Sequence, residues 1–177
     1  MSGTSEYILD DYTLGETDED IIVDTAEDVR LLSLSLARQA RRSIDIFTQD
    51  LDAALYNNRD FEQALFQLVR QHDKARVRIL CYDSRPALAN GHCLIRLAQN
   101  LTSSVAIHKP GREHQGERGA WLIADRRGLI TRTNAVDDSY RATVNFNAAQ
   151  TAAKLSDSFE EMWQHSTTDS QVRRIYM

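Results

Sequence analysis

From residue 21 the chain alternates between short apolar runs and longer stretches whose apolar residues recur every three or four positions. "IIVD" (21–24) predicts a short strand. Thr25 stands as an N-cap before "AEDVRLLSLSLARQARRS", whose acids Glu27 and Asp28 suit a helix's first turn. Val29, Leu32, Leu36 and Ala40 line one face of that helix. "IDIFTQ" (44–49) predicts a buried strand, and Asp60 begins a second amphipathic helix with Phe61, Leu65 and Val69 on one side. "RVRILCYD" (76–83) reads as a strand, "GHCLIRLAQNL" (91–101) as a helix and "SVAIHKP" (104–110) as a strand. Strands separated by helices of this length predict βαβ units, hence a largely parallel sheet with right-handed crossovers.

After Pro110 the pattern changes to strands alone. "GAWLIAD", a turn at "RRG" and "LITRTN" predict a β-hairpin, and "RATVNF" adds a strand. Asn147 is placed to cap a long final helix with an inward stripe of Ala152, Leu155, Phe159 and Trp163. The expectation is one α/β domain over residues 21–177, with a mixed, mostly parallel sheet flanked by helices, preceded by an acidic, flexible leader over 1–20. The chain has no internal repeat and no low-complexity run.

Composition narrows the class. With 177 residues, 42% of them hydrophobic, the chain can bury one sizeable core. No apolar run approaches the roughly 18 residues a membrane span needs, and the start has no signal-peptide pattern. Cys81 and Cys93 fall in a predicted strand and helix, where they read as small core residues in a reducing cytoplasm. The net charge of −5 hides an asymmetry. Residues 1–29 hold ten acids and no Lys or Arg, which leaves sixteen acids against all 21 bases in the rest, a net of +5. Most of those bases are Arg, the side chain suited to planar contact with phosphate and carboxylate.

Common cofactor and metal patterns are missing. The five histidines (72, 92, 108, 114 and 165) and two cysteines show no CxxC or HExxH spacing, and there is no GxGxxG, Walker A or GxSxG. No cofactor and no metal are therefore expected. Asp50 and Asp52 in "TQDLD" follow a strand end, where α/β sheets place ligands, although "DLD" also reads as a helix-capping turn. His92 follows Gly91 at a helix start, where it can orient the loop or meet a ligand.

The stretch "ERGAWLIADRRGLITRTN" (117–134) with the later "FEEMW" resembles a single phospholipase D-like domain. That superfamily carries His-x-Lys-x4-Asp on a strand, then a turn and Gly-Ser-x-Asn, then a final helix. Asp125 matches the Asp, Asn134 the Asn, and Phe159 and Trp163 the helix end. The His position is Arg118, the Lys position Ala120, and the Gly-Ser positions are Thr131 and Arg132. More narrowly, "GHCLIRLAQNL", "LIADRRG", "NFNAAQTAAKLSDSFEEMW" and "VRRIY" resemble a family of bacterial proteins with no assigned activity, a degenerate branch of the group.

The resemblance implies a mechanism in which one His attacks phosphorus and a second, from a paired half-site, protonates the leaving oxygen. Arg118 cannot attack, because guanidinium stays protonated, and Ala120 offers the phosphoryl oxygens nothing. His114 lies nearby but has no Lys two positions on. Arg118 and Arg132, with Asn134 beside them, are the candidates for holding an anion bidentately without cleaving it. The alternative for both is pairing with Asp125, Glu117 or the acidic leader as surface salt bridges. The leading expectation is a non-catalytic binding or regulatory module, a homodimer by resemblance, taking a phosphate-containing ligand or a protein partner. Its ligand-binding candidates are Arg118, Arg132, Asn134, Asp125, His114, His92 and Asp50. The alternatives are a phosphodiesterase or nuclease with an altered site around His114, Arg118 and Asp125, and a nucleic-acid binder, which the acidic leader disfavours.

Overall fold

The computed structural model describes residues 11–137 and 139–173. One mixed sheet is built from β1 (Ile21–Val23), β2 (Ser43–Thr48), β3 (Arg76–Cys81), β4 (Val105–Lys109), β5 (Ala120–Ala124), β6 (Gly128–Arg132), β7 (Ala142–Asn145) and β8 (Thr167–Thr168). Its order is β1-β7-β6-β5-β2-β3-β4-β8. Among the described residues only β2, β3 and β4 pair in parallel, because helices carry the chain back between them. The flanking pairs are antiparallel, so the parallel part is narrower than the helix–strand alternation suggests.

The helices are α1 (Ala26–Gln39), α2 (Ala53–Tyr56), α3 (Arg59–Gln71), α4 (Arg85–Ala89), α5 (Cys93–Asn100), α6 (Ala149–Gln164) and α7 (Ser170–Arg173). Alternation along β2 divides the core. Ile44 and Ile46 join the main cluster with Leu36, Leu65 and Leu94 of α1, α3 and α5, while Phe47 packs with Leu80 under Phe159 and Met162 of α6. Asp45 also lies on the α6 side, where Arg78 bonds it at 3.0 Å and Glu160 at 2.6 Å. Both cysteines are buried and free, and no helix among the described residues is long and apolar enough to cross a membrane.

Local chemistry adjusts several predicted boundaries. Thr25 caps α1 as expected, its hydroxyl accepting from the Asp28 amide at 3.1 Å. The helix stops at Gln39 instead of running on to Ser43, because Asp125 claims the amides of the next strand entry. Its carboxylate accepts from the backbone N–H groups of Arg41, Arg42 and Ser43 at 2.7–3.1 Å. Asn58, not Asp60, opens α3 by accepting from the Phe61 amide at 2.9 Å. Asn147 does not cap α6. The N-cap is Ala148, with no side-chain bond, and the Asn147 amide is drawn instead to Asn145 Oδ1 at 2.8 Å. Ser156 and Met162 join Ala152 and Phe159 on the buried stripe of α6, with Leu155 and Trp163 at its margins.

The leader expected to be flexible over 1–20 is docked where it is described, and residues 1–10 lie outside the described residues. Tyr12 stacks on Phe146 with ring centroids 5.3 Å apart. The Leu14 amide donates to Gln39 Oε1 at 2.8 Å, and the Gly15 amide to the Phe146 carbonyl at 2.8 Å. Asp18 and Asp20 accept from the Asn145 side chain rather than from an Arg. Gly15 turns this segment at a φ of +84°, a conformation that favours glycine.

Candidate functional site

The strand ends form a front edge and a rear edge of the sheet. At the front edge β2, β3 and β4 end and β5 begins; at the rear edge β2 and β3 begin and β5 turns into β6. Chain register puts Ala120 directly opposite Arg132 on the front edge. The Arg132 side chain is 5% exposed and ion-paired with Asp52 at 3.1 Å, and its other terminal nitrogen donates to the Ser139 carbonyl at 2.9 Å. Tyr140 closes the arrangement. Its ring centre lies 4.6 Å from the guanidinium carbon, and its hydroxyl donates to Asp52 at 3.1 Å. Burial first, and the Asp52 charge second, raise the Tyr140 phenol above its ordinary value, so it stays a donor. The Arg132 Nε is shielded from solvent without a hydrogen-bond partner.

The turn "DLD" aims Asp52 into this cluster. The Asp52 amide donates to Asp50 Oδ1 at 3.0 Å, and Asp52 makes no side-chain cap on α2. Leu51 between them adopts a φ of 68°, strained for a residue with a Cβ, and is fully buried. Two bonds hold it there: its amide to Thr48 Oγ1 at 3.2 Å and its carbonyl to His92 Nε2 at 2.9 Å. His92 Nδ1 accepts from the Leu94 amide at 3.1 Å, which assigns the proton to Nε2 and makes His92 the cap of α5. Burial lowers the His92 pKa below its ordinary value. His92, Asp50, Asp52 and Arg132 thus form one connected support.

The other predicted candidates lie apart from it. Arg118 is exposed, and among the described residues its engagement is through its carbonyl, which accepts from the Ala135 amide at 2.8 Å. Asn134 is bound within its own turn, to Asp137 at 2.5 Å and to the Val136 amide at 3.2 Å. His114 sits in a single 3-10 turn between β4 and β5. Asp125 stands at the rear edge, at the opposite end of β5 from Arg118. It takes a φ of 54° and Arg126 one of 57°, the two central residues of a type I′ turn closed by the Arg127 amide on the Ala124 carbonyl. Its three amide bonds leave the Asp125 carboxylate a structural acceptor, neither paired with Arg118 or Arg132 nor aimed at a front-edge ligand.

Sequence reasoning did not anticipate the rear edge. A cleft of about 870 Å³ opens there, lined by Arg38, Arg41, Arg42, Arg127 and His72, with the docked leader segment Thr13–Glu16 along one side. All four arginines are exposed. None of their guanidiniums pairs with a carboxylate among the described residues. Glu16 and Asp125 are the acids lining it, and Asp125 is already held by three amides. The doublets "ARR" (40–42) and "DRRG" (125–128) are the local signal, but they are 83 positions or more apart, and only the β5–β6 turn brings them together.

Solved structures share this architecture. Nuc from Salmonella typhimurium, a phospholipase D family member, matches at 16% identity over 85% of this chain and 97% of its own, with a TM-score of 0.60. NucT from Helicobacter pylori matches at 15% identity over 85% and 100%, with a TM-score of 0.56. TrmBL2, an archaeal chromatin protein whose structure shows a mode of DNA binding, matches at 14% over 86% of this chain and 54% of its own, with a TM-score of 0.62. At these identities the likeness shows the fold alone: a single α/β domain with the fold seen in phospholipase D family members. Residues 25–175 match the family described as Domain of unknown function (DUF7931), and the chain belongs to that family. No curated protein matches it in sequence.

Proposed function

We propose that this protein is a non-catalytic phospholipase D-like module that binds a phosphate-bearing ligand through the rear-edge arginines. The observation carrying the proposal is the front edge. Where the resemblance calls for a nucleophilic His and a phosphate-binding Lys, the chain has Arg118 and Ala120. The guanidinium across from Ala120 is already neutralised by the chain's own Asp52 and covered by Tyr140. An internal carboxylate thus takes the role that a substrate phosphate would have, and no imidazole stands at the attacking position. The rear edge supports the binding half of the proposal, since exposed guanidiniums around a cleft, with no carboxylate partner among the described residues, concentrate positive potential and suit bidentate contact with phosphate oxygens.

The homodimer implied by the resemblance is part of the same proposal, checked by the solution mass of the full chain. Catalysis is tested with a generic phosphodiester and a single-stranded oligonucleotide as substrates. The expected result is no turnover above the blank, with or without His114→Ala. Turnover in the wild type that disappears in His114→Ala would replace this reading with the altered-site phosphodiesterase.

A further inference from the structure

The connection from β4 to β5 crosses the front edge and carries Glu113 and His114 in its 3-10 turn. The turn lies against the C-terminal end of α6, where His165 is the C-cap. One potential ligand atom from each of Glu113, His114 and His165 lies within 4.8 Å of the other two. Glu113 Oε1 and His165 Nδ1 are 3.6 Å apart, close to the roughly 3.4 Å that separates two ligands on a tetrahedral zinc with bonds of about 2.0–2.1 Å. The two imidazole rings are 6.5 Å apart, centre to centre, and inclined by 28°.

One further observation points to a ligand and not to a chance ion pair. His114 Nε2 is shielded from solvent and has no hydrogen-bond partner, an unfavourable position for an imidazole nitrogen left without a ligand. Gly111, at the entry to the turn, permits the close approach. A Cβ there would stand 2.9 Å from the His165 carbonyl and 3.2 Å from the Glu113 carboxylate, so any side chain would push the turn off the helix end.

We propose that Glu113, His114 and His165 hold a divalent transition-metal ion of the Zn2+ class. Two imidazoles and one carboxylate suit Zn2+ better than Ca2+ or Mg2+, which take oxygen ligands. Three protein ligands leave a fourth position for water or an incoming group. The ion clamps the β4–β5 connection to the end of α6, while Gln49 anchors the far side of that connection through the Glu117 and Gly119 carbonyls at 3.0 and 2.9 Å. The site fixes the approach to Arg118 and is independent of whether the rear edge binds phosphate. Sequence spacing hid it, because His165 lies 51 positions beyond His114.

The test is calorimetric titration of the full, tag-free chain with Zn2+, with Co2+ as a spectroscopic probe and Ca2+ as a control. The expected result is one equivalent of Zn2+ bound, tetrahedral Co2+ absorption, no Ca2+ binding, and a melting temperature that rises with Zn2+ by mass action. His165→Ala and His114→Ala should each weaken Zn2+ binding by at least about tenfold. His165 is exposed, so its substitution leaves the fold intact and keeps the test decisive if His114→Ala does not fold. Absence of Zn2+ binding, or Zn2+ binding undiminished in His165→Ala, would overturn the proposal.

Discussion

At the front edge of the sheet the guanidinium of Arg132 is buried against Asp52, Ser139 and Tyr140. At the rear edge Arg38, Arg41, Arg42 and Arg127 stand exposed around a cleft, without a carboxylate partner among the described residues. The same side chain therefore sits in two different environments at opposite ends of β5 and β6. Inside, its charge must be matched by the chain itself, because an unpaired buried ion costs several kcal/mol. Outside, water screens it and leaves it available to a partner. An arginine count does not distinguish these uses; burial and partners do.

Breaking the front edge should have the largest effect. Arg132→Ala leaves Asp52 without its cation, so urea denaturation should show a loss of about 3–5 kcal/mol. In the Arg132→Ala/Asp52→Ala pair the loss should be smaller than the sum of the single losses, because the pair is coupled. Additive losses would remove the ion pair as the cause.

Asp125→Ala comes next. It strips the acceptor from the amides of Arg41, Arg42 and Ser43 and from a turn already held at positive φ, for an expected loss of about 1–3 kcal/mol. Because it also removes one of the two acids lining the rear cleft and frees three amide donors there, the same variant should tighten phosphate binding. A stable Asp125→Ala with unchanged binding would separate the turn from the cleft.

A smaller, pH-dependent effect sharpens the comparison from the front side. The folded-state pKa of His92 is lowered, so the unfolded chain takes up the proton first as pH falls. Stability should therefore be full above the ordinary value near 6.5 and decline as pH drops through it. His92→Gln should be less stable at pH 7 and show a flatter slope between pH 7 and pH 5. An unchanged slope would assign the acid sensitivity to other groups.

Arg41→Ala and Arg42→Ala should have the smallest effect on stability, within about 0.5 kcal/mol, since both side chains are exposed and neither pairs with a carboxylate among the described residues. A larger loss would show that these arginines, like Arg132, hold the fold together.

The strands and helices were legible because apolar spacing of two or of three to four residues survives in every long element. Thr25 announced its cap, and "GAWLIADRRGLITR" its hairpin. The vacancy at Arg118 and Ala120 was equally plain, since it needs only counting back from Asp125. What could not be read was pairing at a distance. Asp52 and Arg132 are 80 positions apart, and Asp125 reaches amides 82–84 positions away. A motif match alone makes Asp125 a ligand candidate, whereas the structure makes it the latch between the β5–β6 turn and the start of β2. The rear cleft was hidden for the same reason: its arginines come from two segments that no local periodicity connects. The docking of residues 12–15 depends on Phe146 and Gln39, and an acidic leader carries no sign of either.

The most direct measurement is the melting temperature at low salt against pyrophosphate, a nucleoside triphosphate and a short oligonucleotide. It compares the wild type, Arg118→Ala and the paired Arg41→Ala/Arg42→Ala variant. The account predicts a saturable rise with at least one of these probes that persists in Arg118→Ala and disappears in the paired variant. No rise with any probe, or a rise lost in Arg118→Ala and kept in the paired variant, would contradict it.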